Sequence, residues 1–442
     1  PVQIGSSTAW AAGYTGAGSR IAVIDTGIDT DHQSFAEAGY EYSLGQLAEK
    51  KEMDADAFKA GLKLLGKDEI AQKLDQLNIK DYPAATTDNL YVSSKIPFAY
   101  NYIDQNITVD HDHDRQGEHG SHVEGIAAAN AYIQQDDGTF ASALESVKVQ
   151  GVAPDAQLVV MKVFGAGGGA YDSDYMAAIE DAIVLGCDSV NLSLGSGSPG
   201  FSRVNDDYAE IMASLANCGT VVSMSAGNSG YWAENSQTGY LYADDVSMQA
   251  DGSPGSFTNS LAVASVNNDG FTGSYFTVGE HLVGYTETSY KNAAFATLKG
   301  EQEYVILPAG VAGNASDFEG IDVTGKVVFV QRGSIAFTDK AANAVNAGAI
   351  ATVVYNNASG TINMDLSSYT KTAPCVSITE ADGLAIWEAS TKSEDGKYAT
   401  GKMTVADGVG SVDYHSDYYT MSDFSSWGVP GSLELKPEIT AP

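Results

Sequence analysis

Short apolar runs recur along the first 270 residues and alternate with segments of helical periodicity. The first run, at residues 20–24, is almost fully apolar, which is the pattern of a strand buried on both faces of a parallel sheet. Similar runs occupy residues 158–163, 189–194, 220–224 and 261–266. Segments with apolar residues at helical spacing separate some of these runs. One contains Met176, Ile179 and Ile183, and another contains Tyr208, Ile211 and Leu215. This alternation predicts an α/β fold with a doubly wound parallel sheet and right-handed crossovers.

An insertion of about residues 36–95 interrupts this alternation near its start. Within it, residues 54–77 are interpreted as one amphipathic helix, because Phe58, Leu62, Leu65 and Ile70 recur at near-helical spacing between charges. We expect the insertion to cover one edge of the sheet and to have no catalytic part.

The pattern changes at about residue 270. Thr-rich strands are followed by an apolar strand at 326–330, a helix at 341–347 and another strand at 350–355. The chain then returns through residues 422–428 to a Pro-punctuated end. We therefore expect residues 1–269 to form the first part of one domain, 270–406 to be an inserted α/β module, and 407–442 to rejoin the first domain.

Three polar side chains stand where the predicted core elements begin or end. Asp25 closes the strand at 20–24, and Asn228 follows the strand at 220–224. His119 precedes a Gly-containing segment in which Ile126 and the alanines after it predict a buried helix. Open α/β sheets place their sites at the carboxyl ends of strands. There an aspartate can fix a histidine tautomer, and an amide can donate to a developing oxyanion.

Composition and charge narrow the classes of function. The 57 acidic and 23 basic side chains give a net charge of -34, which disfavours nucleic acid and anionic membrane surfaces as partners. No apolar stretch approaches the roughly 20 residues that cross a bilayer. We expect no membrane contact within this chain, and we expect any signal peptide, propeptide or anchor to lie outside it.

Neither the cysteines nor the acidic loop makes a convincing metal or redox motif. Cys187, Cys218 and Cys375 are far apart in apolar settings, so we interpret them as buried core thiols. Residues 110–114 alternate Asp and His, which places the side chains on opposite faces of an extended chain and favours a solvated loop over a shared site. No metal site is assigned. A cation bound by this loop would be expected to be Ca²⁺, because carboxylates dominate the loop.

Three ordered blocks together resemble those of the subtilases, which are serine peptidases. They are AVIDTGID at residues 22–29, HGSHVEG at 119–125 and SAGN at 225–228, with GVAPDA at 151–156 and NLSLG at 191–195 as further similarity. The resemblance is strongest to cell-envelope proteinases of the lactocepin type and the related complement-cleaving peptidase of streptococci.

The resemblance implies a subtilisin-like fold and a role for each matching residue. Asp25 would be the triad acid, His119 the general base and Asn228 the oxyanion donor. Ser193, Leu194 and Gly195 would line the primary specificity pocket. The segment from Val163 through Gly165 and Gly167 to Gly169 would pair with substrate backbone as an added strand. The module at 270–406 would be a protease-associated domain that modulates substrate access.

Two features depart from the family pattern. Glu124 stands where the family usually has a small residue, and we expect a local polar contact for it because a buried carboxylate needs a partner. The final run, residues 434–442, leads in the family to a Gly-Thr-Ser-Met-Ala block that supplies the nucleophile. That block is absent, so we expect the serine to come from a complementary segment beyond Pro442, in a continuation or a separate processed piece.

The sequence thus favours a secreted or cell-wall-attached endopeptidase that cleaves protein or peptide substrates through an acyl-enzyme and needs no organic cofactor. Two alternatives stay open. One is a catalytically inactive subtilase-fold binding module, against which the joint presence of Asp25, His119 and Asn228 argues. The other is a metallohydrolase using the Asp/His loop, which insensitivity to chelators would remove.

Overall fold

The structure is a computed structural model, and it divides the chain into two compact units. It describes residues 3–110, 117–195, 206–230, 251–258, 260–268, 270–288, 292–358, 362, 364–366, 368–413, 420–422, 424–428 and 435–442. Unit 1 comprises Pro1–Asn268 and Asp417–Pro442, and unit 2 comprises Asp269–Ser416.

Among the described residues, unit 1 contains most of the helices and the strands that carry the candidate site. Its helices are α1 (Ser6–Ala11), α2 (Glu37–Lys50), α3 (Ala55–Leu62), α4 (Lys67–Lys73), α5 (Thr87–Leu90), α6 (His119–Ala128), α7 (Ala143–Ser146), α8 (Asp172–Leu185) and α9 (Asp206–Cys218). Its strands are β1 (Arg20–Asp25), β2 (Phe98–Asn101), β3 (Tyr132–Gln134), β4 (Phe140–Ser142), β5 (Gln157–Lys162), β6 (Ser189–Leu192), β7 (Val221–Ser225), β8 (Leu261–Ser265) and β18 (Ile439–Ala441). Short 3₁₀ helices span Gln33–Phe35 and Leu74–Gln76.

The main sheet of unit 1 has the order β18-β8-β7-β6-β1-β5-β2 among the described strands. Every neighbouring pair in it is parallel. Helices α8 and α9 pack on one face with Ile24 and Met161, while α6 packs on the other with Val23 and Val160. The predicted α/β class with a doubly wound parallel sheet is therefore confirmed.

Because side chains alternate along a strand, the face to which each β1 residue points follows from the core. Val23 belongs to the layer under α6, and Asp25, two residues later, therefore points to the same side. Its register partner on β5 is Lys162. The end of β1 thus presents an acid, and the end of β5 a lysine, to the layer that α6 covers.

Two expectations about helices were wrong. Residues 54–77 form α3, α4 and a 3₁₀ turn rather than one helix, because Lys63 adopts a left-handed conformation with φ of 52° and Gly66 precedes α4 in an extended one. Ile126 is 57% exposed, although α6 buries Gly120, Glu124 and Ala128.

Unit 2 has a second sheet and its own core. Its strands are β9 (Gly270–Val278), β10 (His281–Gly284), β11 (Thr286–Glu287), β12 (Gly300–Ile306), β13 (Val327–Gln331), β14 (Ala351–Tyr355), β15 (Cys375–Ile378), β16 (Thr391–Lys392) and β17 (Ala399–Asp413). Its helices are α10 (Phe337–Asn346) and α11 (Glu380–Ala389), with 3₁₀ helices at Phe295–Leu298 and Ala315–Phe318. β12 to β15 are parallel neighbours, and β17 and β9 extend the sheet antiparallel. Apolar side chains fill both of its faces, around Phe329 on one and Val328 on the other.

Candidate active site

The Asp25 carboxylate is completely buried at the carboxyl end of β1. Its Oδ1 accepts a hydrogen bond from the backbone N–H of Thr26 at 2.7 Å and lies 2.7 Å from Nδ1 of His119. The second oxygen, Oδ2, is also buried and has no hydrogen-bond partner among the described residues. One oxygen of this acid therefore holds the imidazole, and the other is left without a donor.

His119 is the first residue of α6, and that helix is tied to the loop that follows β1. The N–H of Gly120 donates to Oγ1 of Thr26 at 2.8 Å, and the N–H of Asp29 donates to Oγ of Ser121 at 2.8 Å. About half of the His119 side chain is exposed. Its hydrogen bond to Asp25 raises the pKa of the imidazole above 6.5, and partial burial opposes that rise. The ring can thus hold Nδ1–H toward the acid and act as a base through Nε2.

Asn228 lies in the loop after β7 and is exposed. Since β7 is separated from β1 only by β6 in the parallel sheet, Asn228 and Asp25 come from the same sheet edge. Ser426 supports the loop, because its Oγ accepts from the N–H of Ser229 and its own N–H donates to Gly227 O, each at 2.9 Å. The sequence analysis missed this role of Ser426 and interpreted residues 422–428 only as the segment through which the chain rejoins the first domain.

The expected pocket residues follow β6 at the same edge. Leu194 is buried, and its carbonyl accepts from Oγ of Ser225 at 3.2 Å. Ser193 Oγ accepts from Asn191 Nδ2 at 3.0 Å. Gly195 is exposed, and a Cβ there would lie 2.9 Å from Ser253 O, so the segment that precedes β8 approaches Gly195 closely. Their role in substrate specificity stays a prediction.

The segment expected to pair with substrate is partly occupied by its own hydrogen bonds. Val163 is buried, and its N–H donates to Asp25 O at 2.9 Å. The N–H of Gly165 donates to Gly169 O at 3.2 Å, whereas Gly167 is exposed. Backbone pairing with a substrate stays a prediction, and it must use groups other than those two N–H donors.

Comparison with known proteins identifies the family of the chain. Residues 16–442 match the subtilase family. The chain belongs to that family. The chain is 31% identical over 450 residues to the minor extracellular protease Vpr of Bacillus subtilis (strain 168), an alignment that covers 99% of this subtilase and 42% of that protein. The resemblance inferred from the sequence blocks is confirmed.

Two further relatives are named as a proteinase and a peptidase. The PII-type proteinase of Lacticaseibacillus paracasei is 30% identical over 442 residues, covering 97% of this subtilase and 21% of its own length. The C5a peptidase of Streptococcus pyogenes serotype M3 (strain ATCC BAA-595 / MGAS315) is 27% identical over 431 residues, covering 97% and 32%. The chain thus spans less than half the length of each of these relatives.

Glu124 of this subtilase does not make the polar contact that we expected. Its side chain is fully buried on α6, and neither carboxyl oxygen has a hydrogen-bond partner within the described part of the chain. Burial, followed by the charge of Asp25, raises the pKa of Glu124 well above 4.5. The expectation of a local partner was wrong, because the helix face that carries Glu124 packs on the sheet.

The remaining candidates of the subtilase sequence carry no assigned site. Cys187 and Cys375 are buried, but Cys218 is exposed at the end of α9, which corrects the expectation of three buried thiols.

Of the Asp/His loop, residues 111–114 lie outside the described residues, and only Asp110 is described. Among the described residues, no three His, Cys, Asp or Glu side chains group so as to hold a metal ion. No helix in the described segments is long and apolar enough to span a membrane.

Proposed function

We propose that the chain supplies the acid, the base and the oxyanion donor of a serine endopeptidase that cleaves protein or peptide substrates. The observation that carries this proposal is the 2.7 Å contact between Nδ1 of His119 and Oδ1 of Asp25. Asp25 is fully buried while His119 is half exposed. A rigid acid behind an accessible imidazole is the arrangement that general-base catalysis needs.

The proposed reaction follows from these positions. His119 Nε2 removes the proton of a serine hydroxyl as the serine oxygen bonds to the substrate carbonyl carbon. Asp25 holds the Nδ1–H and stabilises the imidazolium, while the side-chain amide of Asn228 donates to the oxyanion. The imidazolium then protonates the departing amine, which leaves an acyl-enzyme. Water, deprotonated by the same imidazole, attacks the ester carbonyl. The imidazolium then returns that proton to the serine oxygen as the ester C–O bond breaks, which releases the acid product and the free serine.

We further propose that polypeptide beyond residue 442 contributes the nucleophilic serine. Apolar surface beside α6 supports this. Ile126 is 57% exposed and Val152, whose N–H donates to Ile126 O, is 41% exposed. A helix that carried the serine and packed here would cover these side chains and bring its hydroxyl to the base.

We assign the whole protein to the cell exterior, secreted or attached to the wall, on the strength of its relatives. One of them is named an extracellular protease. For unit 2 we propose the role of a protease-associated domain that modulates access of large substrates, supported by its having a core of its own. Deleting residues 270–406 should then change selection among proteins more than cleavage of a short peptide.

The test compares residues 1–442 with the same chain carrying its natural continuation. Each is treated with a biotinylated fluorophosphonate, and cleavage of casein and of short peptides is measured. We expect labelling and cleavage only in the longer protein, and loss of both in its His119→Ala variant. Full labelling of residues 1–442 alone would place the nucleophile within them. A folded longer protein that neither reacts nor cleaves would favour the inactive binding module, and loss of cleavage with a chelator would favour a metallohydrolase.

A further inference from the structure

Two buried carboxyl groups lie in the layer between α6 and the end of β1, and three of their four oxygens lack a donor. Asp25 Oδ2 has no hydrogen-bond partner among the described residues, and neither does Oε1 or Oε2 of Glu124. Both side chains are 0% exposed. Unsatisfied buried acceptors are costly, so this concentration beside the candidate base needs a physical explanation.

The helix geometry places Glu124 on the face that meets β1. Gly120 packs against the loop after β1, and Glu124 follows it by four residues, which is the same face one turn later. Asp25 points into this layer from the strand, and its negative charge acts on Glu124. The two carboxyls therefore face a common interior region from opposite elements.

The described strands and the helix that border this layer carry few other charged groups. β1 carries Arg20 at its far end and Asp25 here, and β5 carries Lys162. Lys162 Nζ donates to the carbonyl of Thr26. On α6 the other titratable side chains are His119 and His122. No described residue donates a hydrogen bond to Oδ2, and a proton on Glu124 would supply such a donor.

We propose that Glu124 is a positioning residue, a neutral carboxylic acid whose O–H serves Oδ2 of Asp25 and thereby sets the basicity of His119. The structure shows no direct hydrogen bond between the two groups. A carboxylate, which only accepts, has no reason to approach another, whereas a protonated carboxyl turned toward Oδ2 gains a charge-assisted bond. Burial favours the neutral form. The proposal rests on the proposed function for its catalytic meaning, but not for its test.

The consequence for His119 has a definite sign. A donor to Oδ2 stabilises the Asp25 carboxylate and weakens its pull on the imidazole proton. Removing that donor leaves more of the Asp25 negative charge to act on the imidazole, so the pKa of His119 rises. If Glu124 were instead ionised, removing its charge would lower the pKa of His119. A purely structural Glu124 would leave that pKa unchanged.

The test measures the pKa of His119 by NMR titration of its imidazole signals, assigned with a His119→Gln variant. Glu124→Gln keeps a donor, and its His119 pKa should stay within about 0.3 unit of the parent. Glu124→Leu has no donor, and its His119 pKa should rise by about 0.5–1 unit. Glu124→Met is a second apolar variant in case the leucine does not fold. Glu118→Gln removes an exposed carboxylate next to His119 and is the control for the loss of a negative charge. In this variant the pKa of His119 should fall slightly.

Equal pKa values for His119 in the parent, Glu124→Gln and Glu124→Leu or Glu124→Met would overturn the proposal, as would a fall in Glu124→Gln larger than in Glu118→Gln. Because the titration needs no turnover, it can succeed even if the protein proves to have no peptidase activity. In an active preparation, the acid limb of the kcat/KM profile should move with the NMR value, to higher pH in Glu124→Leu and unchanged in Glu124→Gln.

Discussion

Gly120 of α6 approaches Gly27 so closely that a Cβ built on Gly120 would lie 2.1 Å from the carbonyl oxygen of Gly27. The same added atom would lie 3.0 Å from Thr26 Oγ1, the acceptor of the Gly120 N–H. This backbone contact fixes the distance between the helix start and the strand end. It therefore sets the separation of His119 from Asp25.

Gly120→Ala should push α6 away from β1 and weaken the contact between His119 and Asp25. Forcing an atom into a packed contact typically costs about 1–3 kcal/mol, so we expect lower stability and at least about a tenfold loss in turnover. Gly125→Ala is the matched control on the same helix, because nothing lies within 4 Å of its added Cβ. It should gain up to about 1 kcal/mol from helix propensity. Urea unfolding and peptide kinetics of the longer protein, which carries the continuation beyond residue 442 and is also used for the kinetics below, measure both effects. Equal behaviour of the two variants would contradict the packing argument.

Asp25→Asn should lower both the turnover and the pKa of His119. The hydrogen bond from Asp25 raises that pKa above 6.5, so activity that needs the neutral imidazole should rise with pH through a value above 6.5 in the parent protein. In Asp25→Asn this limb should move to lower pH while kcat falls by about 10⁴-fold. The kcat/KM profile between pH 5 and 9 is the measurement. An unshifted limb in the variant would show that Asp25 does not control the base.

Asn228→Ala should lower kcat by about 100- to 1000-fold with little change in KM, because an oxyanion donor acts chiefly in the transition state. Asn89→Ala, at another exposed asparagine, is the control and should leave kcat unchanged. The split between kcat and KM on a chromogenic peptide separates the two. A large rise in KM with constant kcat would assign Asn228 to ground-state binding instead.

Lys95 should make stability depend on pH. Its ammonium is completely buried, donates to Pro154 O at 2.9 Å and Ala156 O at 2.8 Å, and has its pKa lowered by burial to about 7. Between about pH 7 and the unfolded value of 10.5, the unfolded state binds the extra proton, so the stability of the folded state rises with pH in this window.

The measurement is the free energy of unfolding of the parent protein minus that of Lys95→Met at pH 7, 8 and 9. This difference should increase with pH, by up to about 1.4 kcal/mol per unit. Lys50→Met, at an exposed lysine, should give a difference that does not change with pH. A flat difference for Lys95→Met would mean that the folded state keeps the lysine charged.

The amino-acid sequence by itself determined the local pattern of this subtilase. Apolar runs identified β1, β5 and β7, since a strand buried on both faces must be apolar along its length. The same runs placed Asp25 and Asn228 at the carboxyl ends of strands, and the carboxyl ends of parallel strands lie at the same edge of the sheet. The sequence also predicted the helix that begins at His119.

Only the tertiary structure decided which partner each side chain meets, because periodicity reports the face of an element and not what lies across from it. Glu124 was expected to find a polar partner, and among the described residues neither of its buried carboxyl oxygens has one. Ile126 was expected to be buried and is exposed. Ser426, distant in sequence, supports the Asn228 loop through hydrogen bonds that no local pattern encodes. The contact between Gly120 and Gly27 likewise joins residues 93 positions apart, and that contact sets the geometry of the candidate base.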